Sequence, residues 1–291
     1  MYKNGKPVYN KIFFNEEQTK DIITSYLNKE SSVKIGKRYG VNHHVILNLL
    51  HENNIEVSQR KMVRKYSLNE NYFDSIDNPN KAYILGFLYA DGHNGISKST
   101  ITISLQEEDF EILEKIRIEI GSEKPLEFLD YSKKDDFGYS YKNQYRLNMF
   151  SKHMCESLEK IGMISNKSLV LEFPNIPEEL YSHFIRGYFD GDGSISHYQK
   201  PNGKYQHLLT ITSTDLFCNK IKEIISLELD IPCGNIYDAS CHNGITKVLS
   251  VSGDIQVKKI LDWLYKDAGM YLKRKYDKYL NWFNINNSLI A

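Results

Sequence analysis

The sequence predicts an α+β protein: two pseudo-symmetric αββαββα subdomains preceded by a small all-α helix-turn-helix domain. Three observations carry this prediction. A segment of about a hundred residues occurs twice in the chain. Within each copy, stretches that alternate apolar and polar residues with period two follow stretches with helical apolar spacing. Ahead of both copies the chain holds only helical patterning, broken by a glycine turn. The predicted boundaries are 1–56 for the helical module, 57–80 for a basic linker, 81–176 for the first subdomain and 177–291 for the second.

The opening module reads as three short helices between Asn15 and Ile55. Asn15 caps the first, with Glu16 and Glu17 in its opening turn, where the helix dipole favours acids. Ser31 or Ser32 caps the second, which runs to Tyr39; Gly40 permits a tight turn. Asn42 caps the third, whose buried stripe is Val45, Ile46, Leu49 and Leu50. Its exposed start, Asn42, His43, His44 and Asn48, suits base edges or phosphates in a major groove. Directly behind come Arg60, Lys61, Arg64 and Lys65, with no acid after Glu56, a run able to follow a nucleic-acid backbone.

After a turn-rich junction, Asp74 to Asn80, the repeat begins. Tyr83-Ile84-Leu85-Gly86-Phe87-Leu88-Tyr89-Ala90-Asp91-Gly92 aligns with Phe184-Ile185-Arg186-Gly187-Tyr188-Phe189-Asp190-Gly191-Asp192-Gly193. Ile101-Thr102-Ile103-Ser104 then aligns with Leu209-Thr210-Ile211-Thr212, and Ile161-Gly162-Met163 with Ala268-Gly269-Met270. In the repeated helix, Gly86 and Ala90 stand one turn apart, as do Gly187 and Gly191, so each helix presents two small residues on one face. Such a face lets two helix backbones nearly touch, which predicts that the two copies pack these helices against each other.

Asp91 and Asp192 then fall near the pseudo-twofold axis, and Gly92 and Gly193 are expected to terminate the helices. Two carboxylates close together at helix C-termini, where the dipole is also negative, call for a cation. Oxygen ligands with open water positions suit Mg²⁺, or Mn²⁺, and paired metals suit in-line displacement at a phosphodiester.

Composition narrows the classes. The formal net charge is zero, which argues against coating nucleic acid through bulk electrostatics. No apolar run approaches the roughly 18 residues of a membrane span, so no membrane role is expected. Met1-Tyr2-Lys3-Asn4-Gly5 lacks the apolar core of a secretory signal, which predicts a cytoplasmic setting. Cys155, Cys218, Cys233 and Cys241 show no C-x-x-C spacing; Cys233, Cys241 and His242 fall short of a structural zinc set.

The two decapeptides resemble the paired LAGLIDADG, or dodecapeptide, motifs of homing endonucleases, over a span from about Lys81 to Phe283. The resemblance implies a monomer whose two subdomains lay antiparallel strands over the major groove of a long double-stranded DNA target and cut both strands by metal-dependent hydrolysis. It places metal-binding acids at Asp91 and Asp192, with the backbone carbonyls of Ala90 and Gly191 as further ligands of two or three shared ions. Tyr89 departs from the motif where Asp190 keeps its acid. Gly162-Met163-Ile164-Ser165-Asn166-Lys167-Ser168 looks like the segment that bears an active-site lysine in intein-type members, making Lys167 a catalytic candidate and Arg274 its counterpart by repeat alignment, with Lys273 and Lys275 beside it.

For base readout the expected set is His93, Asn94, Ser97, Lys98, Ser194, Ser196, His197, Gln199 and Lys204. Gln144, Arg146 and Asn148 alternate with Tyr145, Leu147 and Met149, which puts the polar set on the face away from the core. Two other readings compete: a maturase that assists splicing of intron RNA, and a non-catalytic transcription regulator built from the same parts. Retention of both acids favours cleavage. An intein setting is disfavoured because no splicing residues frame the chain.

Overall fold

The computed structural model describes residues 2–3, 6–7, 13–57, 65–131, 135–136, 139–165, 170–239 and 246–284. The chain divides into two compact units, Met1–Arg64 and Lys65–Ala291.

In the first unit a short pair, β1 (Tyr2–Lys3) and β2 (Lys6–Pro7), precedes three helices: α1 (Glu16–Leu27), α2 (Ser32–Arg38) and α3 (His43–Glu52). Each helix starts where a side chain can accept from a free N–H. Asn15 and Gln18 form a reciprocal capping box at 2.8 and 3.0 Å, Ser31 accepts from the Lys34 N–H, and Asn42 accepts from the His44 N–H. Gly40 takes φ +66° between α2 and α3. Ile22, Ile35, Ile46, Leu49 and Leu50 form the core, while Val45 is only half-buried. Arg38 ties α2 to α1 through Asp21 at 3.1 Å, and also pairs with Glu30.

The second unit contains both repeat copies. In the first, α4 (Pro79–Asp91) leads into β3 (Gly92–Gly95), β4 (Thr100–Gln106), α5 (Phe110–Glu119) and β5 (Glu127–Leu129). A small ladder of β6 (Asp135–Asp136) and β7 (Tyr139–Ser140) follows, then β8 (Gln144–Phe150) and α6 (Lys152–Lys160). The second copy is α7 (Tyr181–Asp192), β9 (Gly193–Gln199), β10 (Tyr205–Ser213), α8 (Asp215–Leu229), β11 (Asn235–Asp238), β12 (Lys247–Ser252) and α9 (Asp254–Tyr265). A further helix, α10 (Lys273–Asn284), follows α9.

Each copy builds a four-stranded antiparallel sheet with one shared order: β3-β4-β8-β5 in the first and β9-β10-β12-β11 in the second. Identical topology confirms that the sequence repeat is a structural one. The helices cover one face of each sheet, leaving the other polar, as period-two alternation requires.

The centre of the unit is the contact between α4 and α7. Every residue from Ala82 to Tyr89 is buried, the pattern of a helix with no solvent face. A β-carbon on Gly86 would stand 2.0 Å from the Phe184 carbonyl oxygen, and one on Gly187 would stand 2.0 Å from the Tyr83 carbonyl oxygen. These contacts are related by the repeat itself, since Tyr83 aligns with Phe184. On Gly191 the β-carbon would meet that of Ala90 at 2.3 Å, so larger residues here would force the helices apart. Tyr89 carries the seam onward by packing edge-on against Phe184 at 5.3 Å.

Among the described residues, no helix is long and apolar enough to cross a membrane. Cys155, Cys218 and Cys233 are buried, and burial pushes each thiol up to about 11. Cys241 and His242 lie outside the described residues.

Candidate functional site

The packing of α4 on α7 brings their C-terminal ends together. Asp91 and Asp192 are the last residues of the two helices, and both are exposed. A β-carbon on Gly191 would stand 3.0 Å from Asp91 Oδ2, so the Asp91 carboxylate sits against the residue next to Asp192. Gly92 and Gly193 cap the two helices, as expected. They have φ −84° and −88°, extended backbone, because β3 and β9 begin at them without a turn. What demands glycine is the close approach of the preceding turn: a β-carbon would lie 2.6 Å from the Leu88 carbonyl oxygen at Gly92 and 2.5 Å from that of Phe189 at Gly193. Each strand therefore starts directly at an acid.

Register decides which strand residues share the face away from the helices. In the first sheet His93 pairs with Thr102, Thr102 with Asn148 and Ser104 with Arg146, so these stand together with Gln106 and Gln144. Thr102 Oγ1 donates to Asn148 Oδ1 at 3.1 Å, Arg146 Nε to Ser104 Oγ at 3.0 Å, and Asn148 Nδ2 to Glu127 at 2.9 Å. In the second sheet the same face carries Ser194, Ser196 and Tyr198 opposite Thr210, Leu208 and Gln206, with Ser250 and Asn235 beyond. Ser97 and Lys98 are exposed in the turn between β3 and β4, and Lys204 in the turn between β9 and β10.

Three expected base readers do not belong to that face. Asn94 pairs with Ile101 on the core side and is fully buried; its Nδ2 donates to the Cys155 carbonyl at 3.0 Å and the Met163 carbonyl at 2.9 Å. His197 and Gln199 have the parity of buried Ile195. The His197 ring lies 4.9 Å from Trp282 of α10, and Gln199 Nε2 donates to the Gly203 carbonyl at 3.1 Å, closing its turn. Strand alternation is strict, and reading every polar residue as groove-facing ignored it.

The two halves hold their post-sheet loops against the motif helices differently. In the first, Tyr89 Oη donates to the Ile161 carbonyl at 2.8 Å and Ser165 Oγ to the Asn94 carbonyl at 2.7 Å. The segment that leads to Lys167 is thereby tied alongside β3; Lys167 itself lies outside the described residues. In the second half, buried Asp190 accepts from Tyr83 Oη at 2.8 Å, Tyr265 Oη at 3.0 Å and the Leu272 N–H at 2.7 Å. Burial raises the Asp190 carboxyl above its usual range, opposed by Lys275 and these donors. Arg186, also buried, donates from Nε to the Met270 carbonyl at 2.9 Å and from Nη1 to the Leu264 carbonyl at 2.8 Å.

That anchored loop sends its three basic residues in different directions. Arg274 turns to Asp109 in the first copy, with Nε 3.1 Å from both carboxylate oxygens. Lys273 is exposed and pairs with Asp277 at 2.6 Å. Lys275 is the one that faces inward, with Nζ 3.3 Å from the Gly191 carbonyl oxygen, which the sequence reading offers to a metal. Burial pushes its ammonium down to about 8, while Asp190, Asp91 and Asp192 act to hold it up. The sequence contained a sign of this: Leu272, Lys275, Tyr276, Tyr279 and Phe283 follow helical spacing, placing Lys275 on the apolar stripe. Arg186 was similarly legible as a charge inside a motif helix, where the first copy has Leu85.

In the first unit, Asn42 and His44 are exposed at the start of α3; His43 is half-buried with its ring 4.1 Å from that of His44. Lys65 is exposed, and Arg60, Lys61 and Arg64 lie outside the described residues.

Comparison with known proteins bears on the second half first. Residues 179–233, covering α7 through the start of the loop after α8, match the family model of LAGLIDADG-like domains. The DNA-directed RNA polymerase subunit Rpo1C of Methanocaldococcus jannaschii is 29% identical over 181 residues, 58% of this chain; the chain spans only 20% of that relative's length. Among solved structures, the LAGLIDADG meganuclease I-AabMI bound to uncleaved DNA is 15% identical, with 73% of this chain and 92% of that chain covered at a TM-score of 0.49. The homing endonuclease I-LtrWI bound to target DNA is 13% identical, with 76% and 92% covered at 0.46. I-SmaMI bound to an uncleaved DNA target in the presence of calcium ions is 16% identical, with 72% and 90% covered at 0.47.

Proposed function

We propose that this chain is a site-specific, metal-dependent DNA endonuclease of the LAGLIDADG homing type that makes double-strand breaks in a long target. The observation that carries the reading is the pair of exposed carboxylates, Asp91 and Asp192, at the ends of two touching helices from which two polar sheet faces start. The donor chemistry fits a hard cation. Both carboxylates offer oxygen, and Mg²⁺ or Mn²⁺ keeps water and substrate phosphate as its remaining ligands, so no dedicated protein cage is needed. The backbone carbonyls of Ala90 and Gly191 are further oxygen donors; the Gly191 oxygen meets Lys275 only at 3.3 Å and keeps a second lone pair. When bound, the ion supplies positive charge to the phosphate oxygens and activates water for hydrolysis.

The chain's own residues then position DNA. His93, Thr102, Ser104, Arg146 and Asn148 meet one half of the target, and Ser194, Ser196, Thr210 and Ser250 the other, with Ser97, Lys98, Lys204 and Lys273 near phosphates. One chain carries both acids, so a monomer suffices to cut both strands. We read 1–56 as a helix-turn-helix module that lengthens the target through Asn42, His43 and His44, with the 57–80 linker and its Arg60, Lys61, Arg64 and Lys65 on the backbone. Lys167 remains the candidate cation of the first half. The setting we assign is cytoplasmic.

The test is a cleavage selection. Full-length protein is incubated with a random or host-genome DNA pool and Mg²⁺, and newly made ends are sequenced. Discrete ends that vanish in EDTA are expected. Intact DNA that is nonetheless specifically retained would replace the nuclease with a regulator, and specific retention of intron RNA alone would favour a maturase.

A further inference from the structure

Two carboxylates at adjoining helix ends pose an electrostatic problem before any metal arrives, because the last carbonyls of each helix add the negative end of its dipole. The structure contains an answer on the side of α7. Lys275, only 4% exposed, stands in the first turn of α10 with Nζ 2.6 Å from the Phe189 carbonyl oxygen, 2.8 Å from that of Asp190, 3.3 Å from that of Gly191 and 2.5 Å from that of Gly193. These carbonyls bracket Asp192 on both sides. An ammonium has three protons, so the three shorter contacts use them fully and the Gly191 contact is the weakest.

Two features hold the lysine there. The Leu272 N–H donates to Asp190 and the Met270 carbonyl accepts from Arg186, which fixes the approach to α10. Its neighbours Lys273 and Arg274 are drawn elsewhere, to Asp277 and Asp109. The Lys275 charge is therefore left to the end of α7, where buried Asp190 shares it with Asp91 and Asp192.

We propose that Lys275 is a resident counter-cation for the Asp91–Asp192 pair: a positioning residue that holds the acidic pair together in the metal-free protein and weakens its demand for a divalent ion. This rests on reading the two acids as the cation site, and is independent of whether the protein cuts DNA.

The test uses full-length, DNA-free protein with Mg²⁺ as the probe. Lys275→Met should lower the Tm in EDTA by several degrees, and excess Mg²⁺, or Asp192→Asn in the same chain, should restore at least half of the loss. By calorimetric titration, Lys275→Met should bind Mg²⁺ about tenfold more tightly than the parent, since a nearby positive charge is gone. An equal loss with and without Mg²⁺, additive with Asp192→Asn, would reduce Lys275 to a helix cap and overturn the proposal.

If Lys275→Met does not fold, Asp192→Asn alone decides. With the lysine as counter-ion its Tm in EDTA holds or falls; a rise of several degrees would mean the carboxylates were uncompensated, and the proposal fails. Protein that gives the expected shifts yet cuts no DNA keeps the counter-cation and loses the nuclease reading. Protein that cuts DNA but fails these shifts does the reverse.

Discussion

The two halves of the second unit share strand order and helix packing but differ in how the motif helix grips its own loop. At equivalent motif positions stand Tyr89 and Asp190. Tyr89 donates a hydroxyl proton to the Ile161 carbonyl, whereas Asp190 accepts the Leu272 N–H and two tyrosine hydroxyls. The same tether is made with opposite hydrogen-bond polarity. The first half does it with a neutral group; the second buries an acid and needs Arg186 and Lys275 nearby. One scaffold thus tolerates two solutions because the requirement is a satisfied loop, not a particular residue.

The strongest way to break the comparison is to ask whether the halves are equivalent in chemistry. Asp91→Asn and Asp192→Asn should each lower double-strand cleavage by about a thousandfold while leaving DNA binding largely intact. Linearisation and retention of the same duplex, measured side by side, check this. If one variant still linearises DNA, its half does not hold an essential acid. A nicked circle from only one variant would sharpen the comparison by showing that strands are assigned to halves.

Stability separates the tethers next. Asp190→Ala removes the acceptor for three donors and the partner of a buried cation cluster, and should cost about 3 to 5 kcal/mol. Tyr89→Phe deletes one hydroxyl donor and should cost about 1 kcal/mol. Urea unfolding at pH 7 measures both, and equal losses would mean that the polarity difference has no energetic content. At the twofold seam the halves should instead agree. Gly86→Ala and Gly187→Ala each drive a methyl into a carbonyl 2.0 Å away, and each should cost about 3 kcal/mol or more. Unequal losses would show that the seam is less symmetric than the repeat.

The same contrast explains what the chain disclosed before folding. The repeat, the sheets and the position of Asp91 and Asp192 were legible because period and repeat position are properties of the linear string. Strand facing near the sheet ends was not: His197 and Gln199 are polar yet keep the parity of Ile195, the first packing on Trp282 of α10 and the second closing its own turn. Among Lys273, Arg274 and Lys275, repeat alignment pointed to Arg274. Which of the three is buried depends on helical phase: α10 rotates by about 100° per residue and turns only Lys275 inward with Leu272. The cross-half bonds of Asp190 join residues remote in sequence, and no local pattern announces them.

The smallest expected effect is a pH dependence confined to the second half. His183 stands where the first copy has Ala82, and its Nδ1 lies 2.9 Å from Arg186 Nη1. Arg186 can only donate, so the imidazole accepts and must be neutral. Burial, then the guanidinium, pushes His183 down to about 4. A histidine depressed in the folded state binds its proton more readily when unfolded, near pH 6.5. Its contribution to stability is therefore whole above pH 6.5, and is lost progressively as pH falls toward 4. Because the side chain is only half-buried, solvent screening reduces the expected loss to about 1 kcal/mol. His183→Ala, which installs the first half's residue, should remove that slope: the stability difference between variant and parent, measured by urea unfolding, should shift in the variant's favour by about this amount between pH 7 and pH 4.5. A difference that stays constant across that range would mean the folded protein accepts a charged imidazole beside Arg186, and the second half would then carry no acid-sensitive contact that the first lacks at this position.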